Sequence, residues 1–293
     1  MYALIALGYT LVYGIIELIN FAHGEIFTFG AFVGLAVLAA LAGTPMAHTA
    51  IALPVAFLVS MAVTALLGVT LDRIAYRPLR RSARLTALIS ALGASVFLMN
   101  AMMLFFGRDS KPFPVYLAAP VFQHGMLVVR QIDVFLIGLT IFLCVLLDQF
   151  VRKSRLGRAM RSVAQDMEAA KMCGVSVNGT IAITFVLGSA MAAAAGILYG
   201  LYYGSIRFND GFLIGMKAFT AAVLGGIGNL RGAVLGGFLL GISESLIPAV
   251  LDSPPFSVPG IFAYKDGVAF VILILALIVK PSGLVGEELP EKA

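Results

Sequence analysis

The sequence predicts an all-α polytopic membrane protein, and three observations carry that prediction. Of its 293 residues, 60% are hydrophobic and only 12% are charged, with a mean hydropathy of +1.01. Soluble domains are about 25% charged, so a water-soluble fold of this size would lack the polar residues to cover its core. The apolar residues also form continuous runs, without the alternation typical of a β-barrel, which favours helices.

Taken in chain order, the apolar runs indicate eight or nine transmembrane or re-entrant helices. A helix needs about 20 residues to cross the roughly 30 Å hydrocarbon layer. The first and seventh runs are short or interrupted by glycine, which leaves the count open. The runs lie near residues 1–16, 26–43, 50–71, 85–106, 132–151, 179–203, 214–229, 232–251 and 261–280. We expect a single transmembrane domain over residues 1–293.

The basic residues are sorted along the chain. Eleven of the 20 lysines and arginines lie in two short segments, 72–84 and 152–178. Basic residues collect in cytoplasmic loops of membrane proteins, and two expected helices separate these segments, so both are predicted to be cytoplasmic. Loop 107–131 is then external. The net charge of +5 is therefore attributed to cytoplasmic loops that set the orientation in the membrane, and not to binding of nucleic acid.

Polar residues interrupt the first two runs between Glu17 and Glu25. The interruption contains Asn20, His23 and Gly24. A charge at the bilayer centre costs roughly 2.5–3.5 kcal/mol on the insertion scale, so such residues usually line a cavity or lie at an interface. One interpretation is a broken helix whose backbone faces a translocation path. The other is a short solvent-exposed turn, and spacing alone does not choose between them.

A second interruption, at residues 206–211, has the same pattern as the first. Ile-x-Phe-x-x-Gly, followed after six residues by Ala-Phe, begins at Ile19 and again at Ile206. Five expected helices separate the copies, which gives them opposite orientations, as in inverted-repeat transporters. Chance is the alternative, because these residue types are abundant here. An inverted repeat is therefore a hypothesis for the structure to test.

Glycine forms two stripes that predict close packing of helices. Residues four apart share a helix face, and small ones let two backbones approach. The stripes are Gly196, Gly200 and Gly204, and then Gly228, Gly232 and Gly236. The run 225–232 has neither the GxGxxG nor the P-loop spacing, so we expect a tight bend there and no nucleotide site.

The second basic segment contains a specific pattern, E-A-A-x-x-x-G, from Glu168 to Gly174. Acidic residues at the start, two alanines and a final glycine predict a short helix with a left-handed stop. A short helix with a small-residue face is suited to docking in the groove of a partner. A solvated connector is the alternative.

That segment resembles the coupling loop of ABC-importer permeases, which docks on a cytoplasmic ATPase. Over most of residues 1–280 the chain is similar to the branched-chain amino-acid ABC permease family, and closer to its H-type than to its longer M-type subunit. Family members have a longer N-terminal lead, so the first helix is expected to lack its beginning. The further segments that carry the resemblance are GYTLVYGII (8–16), INFAHGE (19–25), YRPLR (76–80) and KAFTAAVLGGIG (217–228).

The resemblance implies a multi-pass subunit of an importer in the bacterial inner membrane. Its implied partners are an M-type permease subunit, two cytoplasmic ATPase subunits and a periplasmic substrate-binding protein. The usual cargo is leucine, isoleucine and valine, although some relatives carry urea or short-chain amides. The chain is not expected to be an enzyme, and neither a cofactor nor a metal is expected in it, because ATP is bound by the partner subunits.

Transport is expected to occur by alternating access. The candidate residues of the substrate path are Asn20, His23, Gly24, Glu25, Phe208, Asp210 and Lys217. The candidate residues for coupling to the ATPase are Gly157, Arg158, Gln165, Asp166, Glu168, Ala169, Ala170 and Gly174. The alternative from another class is a channel or an ion-coupled secondary transporter, in which Glu25 and Glu244 would be proton or ion sites.

Overall fold

The computed structural model describes residues 1–80, 82–117, 119–124, 127–253, 257, 260–280 and 282–286. In these residues the chain is a bundle of apolar helices with two short polar helices between the fifth and the sixth apolar one. The helices are α1 Tyr2–Ile16, α2 His23–Leu41, α3 Thr49–Leu71, α4 Arg84–Phe106, α5 Gln131–Lys153, α6 Arg155–Gln165, α7 Met167–Met172, α8 Val177–Tyr203, α9 Asp210–Gly225, α10 Leu230–Asp252 and α11 Lys265–Val279. Arg81 of the first basic segment and the tail 287–293 lie outside the described residues.

The all-α membrane architecture is confirmed. Across the described ranges, seven helices are long and apolar enough to cross a membrane. Helix α1, with 15 residues, and α9, with 16, are short apolar helices, and they correspond to the first and seventh runs, as expected. Helix α11 also has only 15 residues, and it reaches 19 with the 3₁₀ turn Ile261–Tyr264 before it; the sequence did not indicate that it would be short.

The predicted seventh run, 214–229, is displaced towards the N-terminus in the structure. Helix α9 ends at Gly225 because Gly226 and Gly228 have positive φ values of 101° and 97°, which a right-handed helix cannot accommodate. Gly225 and Gly232 then pack backbone to backbone, so α9 and α10 approach closely. The expected tight bend is therefore confirmed.

Helix α8 lies at the centre of the bundle and packs against α1, α2 and α3. Residues 192–195 are four alanines that are fully buried. A Cβ atom at Gly196 would overlap the Phe27 carbonyl of α2, so the backbones of the two helices are in contact. The prediction of close helix packing thus holds at Gly196, whereas Gly200 packs on the Phe113 ring, outside the helices, and Gly204 ends α8 with φ 73°.

Short strands lie in the segment 107–131, which the sequence showed only as a loop. β1 (Lys111–Pro112) pairs antiparallel with β4 (Ser205–Ile206), and β2 (Pro120–His124) pairs antiparallel with β3 (Leu127–Arg130). Too few residues are involved for a period-two pattern to be visible in the sequence. The pairing ties this segment to the end of α8.

Helix α3 ends in an unusual way. It passes into a π-helical turn, Asp72–Tyr76, in which the Arg77 N–H donates to the Asp72 carbonyl, and then into a 3₁₀ turn, Arg77–Leu79. Pro78 has no N–H to donate and its ring clashes with the preceding turn, so the α-helical ladder cannot continue. The backbone turns back against the bundle at this point.

Candidate functional site

Residues 17–22 connect α1 to α2 and place the beginning of α2 inside the bundle. Glu17 ends α1 in a left-handed conformation with φ 52°. Beyond it, Asn20, His23 and Glu25 are 2%, 1% and 0% exposed. The interpretation of this segment as a solvent-exposed turn is therefore wrong. The burial agrees with a broken helix that begins within the bundle.

The first turn of α2 packs directly against the first turn of α9. A Cβ atom at Gly24 would overlap the Gly211 carbonyl, and one at Gly211 would lie 2.5 Å from the Gly24 carbonyl. A Cβ atom at Gly215 would lie 2.8 Å from the Gly24 Cα. Glycine is required at all three positions because backbone meets backbone there.

This contact joins equivalent positions of the two sequence repeats. Gly24 closes the first Ile-x-Phe-x-x-Gly pattern and Gly211 closes the second. Where a two-fold axis relates two segments, residues near the axis contact their own equivalents. In addition, α1 packs on α9 as α8 packs on α2. These paired contacts support the inverted-repeat hypothesis.

Glu25 and Thr28 direct oxygen atoms to the same place beside α9. A Cβ atom at Gly211 would lie 2.8 Å from Glu25 Oε2 and 2.5 Å from Thr28 Oγ1. Ser95 of α4 donates to Glu25 Oε1 at 3.4 Å. Among the residues that the structure describes, Glu25 Oε2 and Thr28 Oγ1 have no hydrogen-bond partner. Thr28 is not among the residues predicted from the sequence, although its position three residues after Glu25 puts both on one helix face.

His23 and Asn20 add two more polar groups to this region. The His23 ring packs edge-on against the Tyr9 ring, with centroids 4.7 Å apart. Tyr76 donates a hydrogen bond of 2.6 Å to Asn20 Oδ1. His23 Nε2 and Asn20 Nδ2 have no partner within the described part of the chain. A buried polar group without a partner costs about 1–3 kcal/mol, so such a concentration is typical of a region that binds a polar ligand.

Lys217 has other partners than this group. Its ammonium lies 2.6 Å from Glu244 Oε1 and 2.5 Å from Asp266 Oδ1, and its side chain is only 5% exposed. Its Nζ is also 3.5 Å from the Tyr2 hydroxyl. Helices α9, α10 and α11 are thereby held together by one cation and two carboxylates. This ion-pair triad accounts for the charge of Lys217 without a substrate.

The remaining two path candidates are structural in their contacts. Asp210 Oδ2 accepts a hydrogen bond of 2.8 Å from the Arg207 N–H and so closes the turn before α9. Phe208 is half-buried against the hydrophobic core. The structure therefore brings Asn20, His23, Gly24 and Glu25 to one region, and gives Phe208, Asp210 and Lys217 different partners.

The candidate coupling residues lie on α6 and α7. Asp166 begins α7, because its Oδ1 accepts from the N–H groups of Glu168 at 2.8 Å and Ala169 at 3.0 Å. Gly174 follows the helix with φ 80°. The short helix with a left-handed glycine stop is confirmed.

One face of α6 and α7 packs on the bundle and the other is exposed. Gly157 is buried against the backbone of Val151 and Phe150, and Ala170 is 5% exposed. The side chain of Met172 is 87% exposed. The exposed candidates on the outer face are Arg158, Gln165, Asp166, Glu168, Ala169 and Gly174. The two helices thus present a rigid, mainly polar surface anchored on small residues.

Comparisons with known proteins give one consistent family. The family model described as branched-chain amino acid transport system / permease component matches residues 1–277. The permease BraD of Pseudomonas aeruginosa, named for a high-affinity branched-chain amino acid transport system, is 43% identical over 99% of this chain and 93% of its own length. LivH of Escherichia coli, with the same description, is 44% identical over the same shares. A probable LivH of Methanocaldococcus jannaschii is 29% identical over 97% of the chain and 88% of the relative. No solved structure matches the chain.

Proposed function

Because the chain belongs to the family of branched-chain amino acid transport permeases, we propose that it is the transmembrane permease subunit of an ATP-driven importer for branched-chain amino acids. It is a multi-pass membrane protein and a transport subunit, not an enzyme. ATP hydrolysis in such systems belongs to separate subunits. The observation that carries the proposal is the buried start of α2, where polar atoms converge against α9 inside an otherwise apolar bundle.

The substrate path passes the group Asn20, His23, Gly24 and Glu25. The side chain of Glu25 is suited to the ammonium group of an amino acid, since a buried carboxylate binds a cation strongly. The positive end of the α2 helix dipole is suited to its carboxylate, as at other helix N-termini. Apolar neighbours accept the branched side chain. Of the seven candidates, these four are the ones whose contacts support the proposal.

The segments 72–84 and 152–178 are cytoplasmic loops of a single transmembrane permease domain. Their content of basic residues supports this, by the positive-inside rule. Helices α6 and α7 then form the surface on which a cytoplasmic ATPase docks. The rigid capping by Asp166 and the packing of Gly157 and Ala170 support that role, because a docking surface must transmit force without deforming.

Alternating access follows from these two parts. Closure of the ATPase subunits displaces α6 and α7, and the helices around α2 and α9 switch between outward- and inward-facing states. A ligand shifts such an equilibrium only through its different affinities for the two states. ATP and the substrate-binding protein must therefore each favour one of them.

The partners are those of ABC-type importers. They comprise an M-type permease subunit, two cytoplasmic ATPase subunits and a periplasmic substrate-binding protein, in the inner membrane of the cell. The chain itself needs no cofactor in this arrangement. Its exposed apolar side chains, including Leu104 and Phe105 at 80% and 84% exposure, are covered by lipid and by the second permease subunit.

Reconstitution tests the proposal. The chain is co-expressed with the proposed partners, an M-type permease subunit, the ATPase subunits and the binding protein, and the complex is placed in proteoliposomes with ATP inside. We expect uptake of radiolabelled leucine that requires both ATP and the binding protein, and that unlabelled isoleucine and valine compete with. Uptake of urea or a short amide, without uptake of leucine, would show that the proposed cargo is wrong.

An ion-coupled carrier would give a different result. Uptake driven by a proton or sodium gradient, without ATP and without ATPase subunits, would contradict the proposal. Of the two candidate ion sites of that alternative, Glu244 is paired with Lys217, which argues against an ion site there.

A further inference from the structure

Residues 72–80, called here the bridge segment, lie between the two parts of the chain that the proposed function uses. The segment comprises the π-helical turn and the 3₁₀ turn that end α3. It contains the YRPLR sequence, to which no role has been given so far. Asp72 and Tyr76 are 2% and 1% exposed, so the segment directs polar side chains into the bundle.

One end of the bridge segment is attached to the start of α8. Arg80 Nη1 donates to Asn178 Oδ1 at 2.8 Å, and the same guanidinium forms an ion pair with Asp72. The side chain of Arg80 is only 14% exposed. Asn178 is the second residue of α8 and follows Gly174 by four residues. Arg80 therefore holds the point where the proposed coupling segment enters the bundle.

The other end is attached to the segment before α2. The Tyr76 hydroxyl donates to Asn20 Oδ1 at 2.6 Å, and the Tyr76 ring packs on Phe185 of α8 with centroids 5.4 Å apart. Asn20 lies three residues before His23, in the segment that breaks the helix. Tyr76 therefore holds the part of the chain from which the proposed substrate path is built.

A π-helical turn separates Asp72, which is ion-paired with Arg80, from Tyr76. A π-helical turn contains one residue more than the α-helical ladder needs, and such turns are frequent at functional sites. The Ala75 carbonyl accepts from Ser90 Oγ of α4 at 3.3 Å. Conversion of this turn to α-helix would rotate the residues after it, and would therefore move Tyr76 and Arg80 together relative to Asp72 and α3.

We propose that Arg80 and Tyr76 are positioning residues that transmit the displacement of the coupling segment to residues 17–22. The inference rests on the proposed function, since it joins the ATPase-docking segment to the substrate path. Coupling between distant sites needs a continuous chain of contacts that has two arrangements. Asn178, Arg80, Asp72, the π-helical turn, Tyr76 and Asn20 form such a chain, in which Asp72, Tyr76 and Asn20 are buried and Asn178 is exposed.

The substitution Tyr76→Phe tests the proposal, because it removes the hydroxyl and keeps the ring that packs on Phe185. The complete transporter in proteoliposomes is assayed for leucine translocated per ATP hydrolysed. We expect this ratio to fall about fivefold, the factor that corresponds to loss of one buried hydrogen bond. The amount of co-purifying ATPase should stay at its wild-type value, and the melting temperature should fall no further than the loss of one hydrogen bond explains. A merely structural role for the hydroxyl predicts that fall in stability without the fall in the ratio.

Tyr199→Phe is the matched control. The Tyr199 ring also packs on a phenylalanine, Phe27, with centroids 5.6 Å apart, but it lies near the opposite end of α8 from the start that Arg80 contacts. Its ratio should equal that of the wild type. An unchanged ratio in Tyr76→Phe, or an equal fall in Tyr199→Phe, would overturn the inference.

A double-mutant cycle shows whether Tyr76 acts through Asn20. The double variant Tyr76→Phe/Asn20→Ala should transport as much leucine per ATP as Asn20→Ala alone, because both substitutions remove the same hydrogen bond between Tyr76 and Asn20. If the fold-losses of the two single variants instead multiply in the double variant, the two side chains act independently and the inference is overturned. At the other attachment, Arg80→Gln should lower the ratio, and Asn178→Ala tests the same contact if the Arg80 variant does not assemble.

The proposed function and this inference fail in different ways. If the wild-type complex shows no ATP-driven uptake, the proposed function is wrong. If the wild type transports leucine and Tyr76→Phe transports it with the same ratio, only the inference is wrong.

Discussion

At the scale of single residues, the surroundings of Glu25 bear most directly on the handling of the cargo. Its carboxylate is fully buried and accepts a hydrogen bond from Ser95 at 3.4 Å. By contrast, the carboxylates of Glu244, Asp266 and Asp72 each form an ion pair with a basic side chain. A buried carboxylate satisfied mainly by a long hydroxyl contact is suited to a cation that arrives from outside.

We expect Glu25→Gln to weaken transport by about tenfold, because a hydrogen bond to a charged group contributes roughly 1.5–3 kcal/mol. The substitution keeps the shape of the side chain and removes its charge. The KM for leucine uptake in proteoliposomes measures this effect, and it is determined for His23→Ala as well. Asp109→Asn, an exposed carboxylate near the end of α4, is the control. Wild-type uptake and substrate range in both Glu25→Gln and His23→Ala would remove these residues from the path.

Lys217 gives a prediction about stability. Replacing it by methionine leaves Glu244 and Asp266 beside each other without their cation, and loss of one partner of a buried pair costs about 3–5 kcal/mol. The melting temperature of the purified complex in detergent should fall accordingly. In the triple variant Lys217→Met/Glu244→Gln/Asp266→Asn the charges are removed together, so most of the lost stability should return. If the triple variant is as unstable as the single one, the ion pairs are not the cause.

At the scale of helices, the contact between α2 and α9 depends on the absence of side chains. In Gly24→Ala the new methyl group overlaps the Gly211 carbonyl, and backbone cannot move aside as a side chain can. We expect a loss of about 1–3 kcal/mol in stability, as for other overpacked sites, together with loss of uptake. The loss of stability is measured by thermal unfolding. Because the chain contains no tryptophan, unfolding is followed by light scattering or by exposure of the cysteine thiols.

Gly93→Ala is the matched control for that substitution. Gly93 also lies inside a membrane helix, α4, but no atom lies within 4 Å of a Cβ atom placed there in the described structure. The alanine should be neutral or slightly stabilising, because glycine is the poorer helix former by roughly 0.5–1 kcal/mol. Equal effects of the two substitutions would contradict the role given to the α2–α9 contact.

Helix α7 gives a prediction about coupling. Proline at position 174 requires φ near −65°, about the mirror image of the 80° found there, so Gly174→Pro should disrupt the end of α7. Glu168→Lys should disrupt docking through its charge. Both variants should lose ATP-linked uptake, while the binding protein still binds leucine. Gly43→Pro, which places the same strain at φ 84° outside the coupling segment, should keep the coupling ratio of the wild type. Normal uptake in Gly174→Pro and Glu168→Lys would exclude α7 as the docking element.

The helices themselves could be predicted well from the sequence. The run 85–106 corresponds to α4, Arg84–Phe106, because hydrocarbon imposes length and apolarity on a spanning helix. The short helix before Gly174 could also be predicted, since its capping residues are local in sequence. The π-helical turn could not: Pro78 marks where α3 must end, but no local pattern specifies the turn, and Tyr76 forms its hydrogen bond with Asn20, which is 56 positions away.

At the scale of the whole molecule, the two native cysteines provide a test of orientation. Cys173 is exposed at the end of α7 and Cys144 is buried in α5. A membrane-impermeant maleimide should modify Cys173 in inside-out vesicles and leave it unmodified in intact spheroplasts. The Cys144→Ala variant should react identically. Modification of Cys173 from the outside would reverse the orientation derived from the basic residues.

Long-range pairing marks the limit of prediction from this sequence. The candidates Asn20, His23, Gly24 and Glu25 stood out because they are polar in an apolar background. Their partners did not stand out, since Tyr76 lies 56 positions from Asn20. Lys217 was expected in the path because it too is polar. Only the structure shows that it pairs with the carboxylates of Glu244 and Asp266, which belong to two other helices.

The π-helical turn also constrains how the length of this chain can vary. Each residue of a regular helix adds about 100° of rotation, so removing one residue within α3 would point every later side chain elsewhere. The π-helical turn holds one residue more than the α-helical ladder needs, so removing one residue between Asp72 and Tyr76 would restore a regular turn and leave Arg80 close to its present direction. We therefore expect related permeases to keep a fixed residue count within α3, and to differ in length by one residue at the π-helical turn or by more in the loop 42–48.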